Sequence, residues 1–453
     1  MRYVAESCDG ELLSGSPAAM VGRVCVDSRQ AQSGDLFVAL AGERFDGHDF
    51  LAEVAKKGVV ARLVERGKLQ GRPFDGAVIV VENTRRALGR LAARYRRDFD
   101  LPVVAVGGSN GKTTTKELLA AVLRQRFTTL WSEASFNNDI GVPLTLLRLD
   151  SSHRAAVLEA GTNHPGELAP LLRLIEPRFG VLTGIGREHL EFFGDLNGVA
   201  EEEGWLAEVL PGDGRLFANS ESAFTGKIMR RTKAKVTRVG FSADNDWRIS
   251  KVSPDESGAM FQVETDNPAL NGEYRVNLLG RHQAMNATLA VAVGAELGLN
   301  REEIRRGLAE CLPAKMRMQV WIANGVSILD DSYNANVDSM IAGLQTLKDF
   351  PCRGRRVAVL GDMAELGPHS AEAHAEVGRI AADFRIDQLF AVGRMAGVMG
   401  AAARAAGLMR VIELGEVETT ARAVKHFLRQ GDAVMVKASR AARLERVVEV
   451  LRG

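Results

Sequence analysis

The segment "VGGSNGKTTTKE" (residues 106–117) sets a lysine directly after glycine and three threonines directly after the lysine. Those types in that order could cradle a triphosphate. Glycines let the backbone approach phosphate oxygens, the ammonium neutralises the β- and γ-phosphates, and a hydroxyl can sit on Mg²⁺. The strict spacing asks for glycine at position 106, where Val106 stands, and Gly107 and Gly108 come late. A glycine-rich turn with a chance Gly-Lys-Thr is the plain alternative. The motif by itself leaves a kinase, an NTPase and a ligase open.

The flanking elements argue for the cradle. "LPVVAV" reads as a buried strand and "TTKELLAAVLRQR" as a helix. The loop then lies at a helix amino terminus, where backbone N–H groups and the helix dipole favour an anion. Glu159 closes the strand "AAVLEAG", at the end where parallel sheets place functional side chains; a solvated loop acid is the alternative. His189 follows the strand "FGVLTGIG", and an imidazole there is a reasonable Mg²⁺ ligand only beside hard oxygen donors. His282 and Asn286 are spaced i, i+4 and share a helix face.

Strand and helix patterns divide the chain into three α/β domains. Residues 1–84 mix short strands with a helix near "FLAEVAKKG" and read as a small mixed α/β domain. Residues 85–313 alternate apolar strands with helices, the pattern of a parallel sheet, interrupted between 214 and 280 by alternating "WRISKV" and "MFQVET", an antiparallel β insertion. Residues 314–453 carry a second strand–helix alternation of Rossmann-like type.

Composition excludes several classes. The 453 residues hold 58 basic and 57 acidic side chains, for a net charge of +1, so no global field draws nucleic acid or an anionic membrane. Cys8, Cys25, Cys311 and Cys352 are scattered without metal-ligand spacing, as in a reducing compartment. The amino terminus has no signal-peptide pattern and no apolar run reaches spanning length. A cytoplasmic, monomeric protein is expected.

The segments "GGSNGKTTTKE", "FNNDIGVPLTLLRL", "VLEAGTNHPGEL", "GREHLEFFGDL", "LLGRHQAMNATLA", "ILDDSYNANVDSM", "LGDMAELG" and "VKASRAARLERVVE" resemble the Mur ligase family, in its order. The amino-terminal "VCVDSRQAQSGDLFVALAGERFDGHDF" resembles that family's UDP-substrate domain. The family's loop is a shorter Gly-Ser/Thr-Asn-Gly-Lys-Thr-Thr form, matched by Gly108, Ser109, Asn110, Gly111, Lys112, Thr113 and Thr114, which removes the spacing puzzle. The resemblance implies ATP-dependent amide-bond formation: a carboxylate takes the γ-phosphate of ATP, and an amine displaces phosphate from the acyl phosphate. The branch resembled joins D-alanyl-D-alanine to UDP-N-acetylmuramoyl-tripeptide. A sister branch, which adds the third amino acid, usually carries Asp-Asn-Pro-Arg, absent here. A non-catalytic nucleotide-binding relative is the other alternative.

The resemblance also implies site residues. ATP falls to the loop, to Asn286 at the adenine, to Arg317 at the phosphates and to Asp331 near the ribose. Mg²⁺ falls to Thr113, Glu159 and His189. Lys437, Ser439 and Arg440 face the closed site, with Ala438 replacing a usual glycine. Ser28, Arg29, Gly47 and His48 are candidates for the UDP-sugar end, and Asn137 and Asn138 for the substrate cleft. In most of the family a carbamylated lysine helps hold the second metal, whereas "GVAEEEGW" puts Glu203 at that place. Glu203 is expected as a built-in carboxylate, with an acidic solvated face as the alternative. Consecutive helical residues point ~100° apart, so Glu201, Glu202 and Glu203 cannot all face one metal.

Overall fold

The computed structural model describes every residue except 43 and 70–73. Three sheets carry the chain. The first has five strands in the order Glu11–Ser14, Ala77–Val81, Ala61–Glu65, Asp35–Val38, Arg23–Cys25, parallel except for the antiparallel pairing of the first strand. The second has nine, in the order Gly272–Val276, Gly258–Thr265, Trp247–Asp255, Lys235–Gly240, Arg215–Asn219, Phe179–Leu182, Val103–Gly107, Ala155–Glu159, Thr129–Trp131. The alternating segments expected as an insertion pair antiparallel with each other, and Trp247–Asp255 joins Lys235–Gly240 in parallel. They therefore extend the parallel sheet at its edge.

The third sheet runs Gln319–Ala323, Val326–Asp330, Ala433–Lys437, Arg356–Gly361, Gln388–Val392, Val411–Leu414. Its first two strands form a hairpin and the rest are parallel. Asn324 and Gly325 turn that hairpin with φ of 51° and 73°, the left-handed pair that a two-residue turn requires. Val357, Val359, Val434 and Val436 are almost wholly buried on one face of this sheet, and Ala358, Leu360 and Met435 on the other. Burial on both faces explains the near-continuous apolar runs of its sequence.

The chain forms two compact units. One comprises Met1–Ala105, Thr128–Ala160 and Pro170–Pro177; the other comprises Val106–Phe127, Gly161–Ala169 and Arg178–Gly453. Within the first, helix Thr84–Arg96 lies along the five-stranded sheet, burying Leu88 and Leu91, and Leu144 and Leu147 pack on the same cluster. Within the second, helix Lys112–Leu123 packs against Gln283–Glu296. A side chain at Gly307 would strike the Val122 backbone, so glycine sets the close approach of Arg301–Glu310.

Candidate active site

The loop 107–111 follows the buried strand Val103–Gly107 and ends where helix Lys112–Leu123 begins. Gly108 has φ of +109°, and a Cβ there would lie 2.5 Å from Thr183 Oγ1. Gly111, at φ +85°, would meet Asn286 Oδ1 at 2.7 Å. Both positions admit only glycine. Ser109 ties the loop to its neighbour: its N–H donates to Gly184 O at 2.8 Å and its Oγ accepts the Gly186 N–H at 2.8 Å. Lys112 Nζ donates to the carbonyls of Gly108 and Ser109, and lies 3.3 Å from Glu188 Oε2. Thr113 is buried, and Thr114 faces a recess.

The three consecutive glutamates diverge as helical geometry requires. Glu201 is exposed and pairs with Lys227 and Arg231. Glu202 is buried and accepts the N–H groups of Gly166 and Leu168 at 2.9 and 2.8 Å, satisfying the start of helix Leu168–Ile175. Glu203 is completely buried, and its Oε2 accepts the Gly108 N–H at 2.6 Å. Burial pushes the Glu203 carboxyl up to about 7; the Lys112 ammonium opposes that rise and Glu188 adds to it. The expected solvated acidic face is confined to Glu201.

His189 has φ +49° and precedes the short helix Leu190–Phe193. Its Nδ1 meets Glu365 Oε2, and its Nε2 lies 3.9 Å from Glu188 Oε2. The hydrogen bond from His189 holds the Glu365 carboxyl below its ordinary value. In the other unit, Glu159 is buried at its strand end; Oε1 accepts from Asn137 Nδ2 at 2.9 Å, and the N–H donates to Ser132 Oγ. Asn138 Oδ1 accepts the N–H groups of Ile140 and Gly141 at the start of helix Gly141–Leu146.

The metal expectation meets a specific test. In the second unit two buried carboxylates each keep one oxygen without a hydrogen-bond partner, Glu188 Oε1 and Glu203 Oε1; within the first unit Glu159 Oε2 is likewise unpartnered. A cation answers that chemistry. Among the described residues no group of three or more His, Cys, Asp or Glu could hold a metal alone. Those facts fit Mg²⁺, which is usually held by one or two carboxylates plus substrate phosphates rather than by an all-protein cage.

Beside the loop helix lies a shallow recess lined by Thr114, Glu117, Leu278, Gln283, Pro313 and Arg317 among others. Gln283 faces it, while Asn286 donates to Gln283 Oε1 at 2.9 Å and lies against Gly111. His282 is exposed, with its Nε2 at 3.0 Å from Gln283 Nε2. Arg317 stacks over Tyr333 at 4.3 Å. Lys437 and Asp331 close neighbouring parallel strands and pair at 2.6 Å, with Lys437 also donating to Asn334 O. Ser439 is buried beside them, its N–H on Asp362 O, and exposed Arg440 pairs with Glu445.

In the amino-terminal domain, Arg29 is exposed and paired with Asp27, and Lys57 donates to the carbonyl of buried Ser28. His48 is buried with both ring nitrogens engaged, Nδ1 by Asp46 and Nε2 by the Glu65 N–H. Gly47 approaches Leu40 so closely that a Cβ would lie 2.8 Å from its nitrogen. Sequence reasoning missed Glu188, Gln283, Glu365 and the pair Arg187–Asp338. Only Glu188 carried a legible signal, an acid directly beside the singled-out histidine.

A buried strand, a glycine loop and a lysine-led helix, set among three α/β domains, define a phosphate-loop nucleotide-binding protein. Family models match along the chain: the Mur ligase family catalytic domain over residues 21–96, the Mur ligase middle domain over 106–294, and the Mur ligase glutamate ligase domain over 316–440. The chain belongs to the Mur ligase family. It is 34% identical to the UDP-N-acetylmuramoyl-tripeptide--D-alanyl-D-alanine ligase of Bacillus subtilis, over 100% of this chain and 98% of that one. With the Escherichia coli ligase of the same name it shares 38% identity over 94% and 93%. Crystal structure I of MurF from Acinetobacter baumannii superposes with a TM-score of 0.91 at 31% identity, covering 100% and 98%. MurF from Thermotoga maritima in complex with ADP gives 0.83 at 27%, covering 96% and 98%.

Proposed function

We propose that this protein joins D-alanyl-D-alanine to the terminal carboxylate of UDP-N-acetylmuramoyl-tripeptide, forming ADP and phosphate. The observation that carries the reading is near-full-length identity of 34–38% to ligases of that name. The ADP complex of a similar MurF supports ATP as co-substrate. The activity belongs to peptidoglycan precursor synthesis, which feeds cell-wall growth and division.

The chemistry begins with two anions, the tripeptide carboxylate and the triphosphate, that repel each other. Lys112 is assigned to the β- and γ-phosphates, leaving its present carbonyl partners for them. Mg²⁺, held with Thr113, Glu159, His189 and Glu203, would neutralise phosphate charge. The carboxylate oxygen attacks the γ-phosphorus and ADP leaves. The dipeptide amine then attacks the acyl carbon, its nitrogen gives up a proton to the departing phosphate, and phosphate leaves with both electrons of the broken C–O bond. Lys437 and Arg440 supply positive charge to the developing oxyanion, with Ser439 as a nearby donor.

Adenine is assigned to Asn286 together with its hydrogen-bonded partner Gln283; Arg317 and Asp331 serve the phosphates and ribose. Residues 1–84 hold the UDP end through Ser28, Arg29 and the turn at Gly47 and His48, residues 85–313 hold ATP, and residues 314–453 close the site and exclude water. Asn137 and Asn138 shape the substrate cleft. The substrates place the reaction in the cytoplasm, and no helix among the described residues is long and apolar enough to cross a membrane. The decisive experiment supplies purified protein, ATP and Mg²⁺ with the UDP-tripeptide and a panel of amino acceptors. Stoichiometric ADP and a UDP-pentapeptide with D-alanyl-D-alanine are expected. Extension by a single amino acid instead, or no product, defeats the reading.

A further inference from the structure

The neighbourhood of Lys112 holds more buried negative charge than the loop explains. Glu188 is 6% exposed and Glu203 is not exposed at all, and both act on the single ammonium of Lys112. Glu203 has a clear occupation, the Gly108 N–H. Glu188 does not. Its Oε2 faces Lys112 at 3.3 Å and His189 Nε2 at 3.9 Å, while its Oε1 is buried without a partner. Lys112 engages only one of the two Glu188 oxygens, and the buried oxygen left over is a donor that a divalent cation can take up.

The histidine beside it is arranged to share that cation. Glu365 engages Nδ1, which leaves Nε2, on the Glu188 side, as the ring nitrogen open to a cation. A carboxylate that fixes the far nitrogen in this way is the usual support of a metal-bound imidazole. The Glu191 N–H donates to the carbonyl of Glu365 at 3.0 Å, tying the two segments together and holding that geometry.

We propose that Glu188 is a ligand of the divalent cation held at His189, and that it exchanges Lys112 for this cation when nucleotide draws the lysine away. The inference rests on the nucleotide-binding reading above and deepens it: it supplies a carboxylate next to His189 that the expected set of Thr113, Glu159, His189 and Glu203 omits. An acidic oxygen donor beside an imidazole suits Mg²⁺ or Mn²⁺, with phosphate oxygens completing the shell.

The test is a Mn²⁺ titration of the intact protein with ADP, read by the loss of free Mn²⁺ signal in electron paramagnetic resonance. Wild type should bind Mn²⁺ at this site; Glu188→Gln should bind it roughly 10- to 100-fold more weakly, with Glu188→Asp recovering part of the loss. Melting temperatures in metal-free buffer accompany each titration. A Glu188→Gln protein that binds Mn²⁺ as wild type does overturns the proposal, whether or not its metal-free stability falls; a fall with intact Mn²⁺ binding marks Glu188 as a structural partner of Lys112. If Glu188→Gln does not fold, Glu188→Asp decides, with wild-type Mn²⁺ affinity overturning the proposal and a shifted affinity supporting it. No peptide substrate enters the titration, so a missing ligase activity would sink the proposed reaction and leave this result standing.

Discussion

Arg187 and Asp338 lie 151 residues apart and make three hydrogen bonds: the Arg187 N–H at 2.7 Å, Nε at 2.9 Å and Nη2 at 2.7 Å, all to the Asp338 carboxylate. Arg187 also reaches Glu376 at 2.6 Å. Gly186 makes room, since a Cβ there would lie 2.7 Å from Asp338 Oδ2. Beside this pair, Asn336 donates to the loop residue Asn110 at 3.0 Å. The third sheet's first helix, Val337–Asp349, is thereby fastened to the segment that follows Phe179–Leu182.

Asp338→Ala is expected to lower unfolding free energy by about 2 kcal/mol, the scale of charge-assisted hydrogen bonds that are partly buried. Urea denaturation measures it. A double-mutant cycle with Arg187→Ala should show strong coupling; additive losses would mean the pair is not a unit.

Lys112→Ala should reduce ATP-dependent phosphate release about a thousandfold or more, because it removes the ammonium that the loop itself offers to the β- and γ-phosphates. Near-normal turnover would remove the lysine from its assigned role.

Gln283→Ala should raise the KM for ATP about tenfold, the worth of one hydrogen bond to the base, while kcat changes little. Steady-state kinetics separates the two. An unchanged KM would take the base away from Gln283.

Glu202→Gln should destabilise the protein by about 1–3 kcal/mol, since one of the buried N–H groups it accepts would lose its charged partner. Turnover of the folded enzyme should stay near wild type. A selective loss of kcat with normal stability would instead give Glu202 a place in the chemistry.

Acid sensitivity is expected at Asp432. Burial acts to raise its carboxyl, but hydrogen bonds from Arg355 and from the Arg355 and Arg429 N–H groups outweigh that and hold it below the ordinary 3.8. The folded state therefore binds fewer protons, so the stabilisation is present above that value and is lost as pH falls below it. Asp432→Asn should cost about 3 kcal/mol at neutral pH and flatten the acid limb of a stability–pH curve.

The sequence by itself determined the local machinery. A strand, glycines at 108 and 111 and a lysine opening a helix are short-range features, each dictated by backbone sterics and helix-end hydrogen bonding. The alternation of apolar strands and helices likewise announced three α/β domains, because periodicity reports which face of an element is buried. Tertiary structure alone decided where the carboxylates point. Glu201, Glu202 and Glu203 are one repeated letter in the sequence, yet one meets solvent, one caps another helix, and one meets Gly108 across 95 residues. Glu188 is silent in the sequence until Lys112 and His189 are folded against it. A carboxylate's role depends on the charges and donors within a few ångströms, and only long-range packing brings those together.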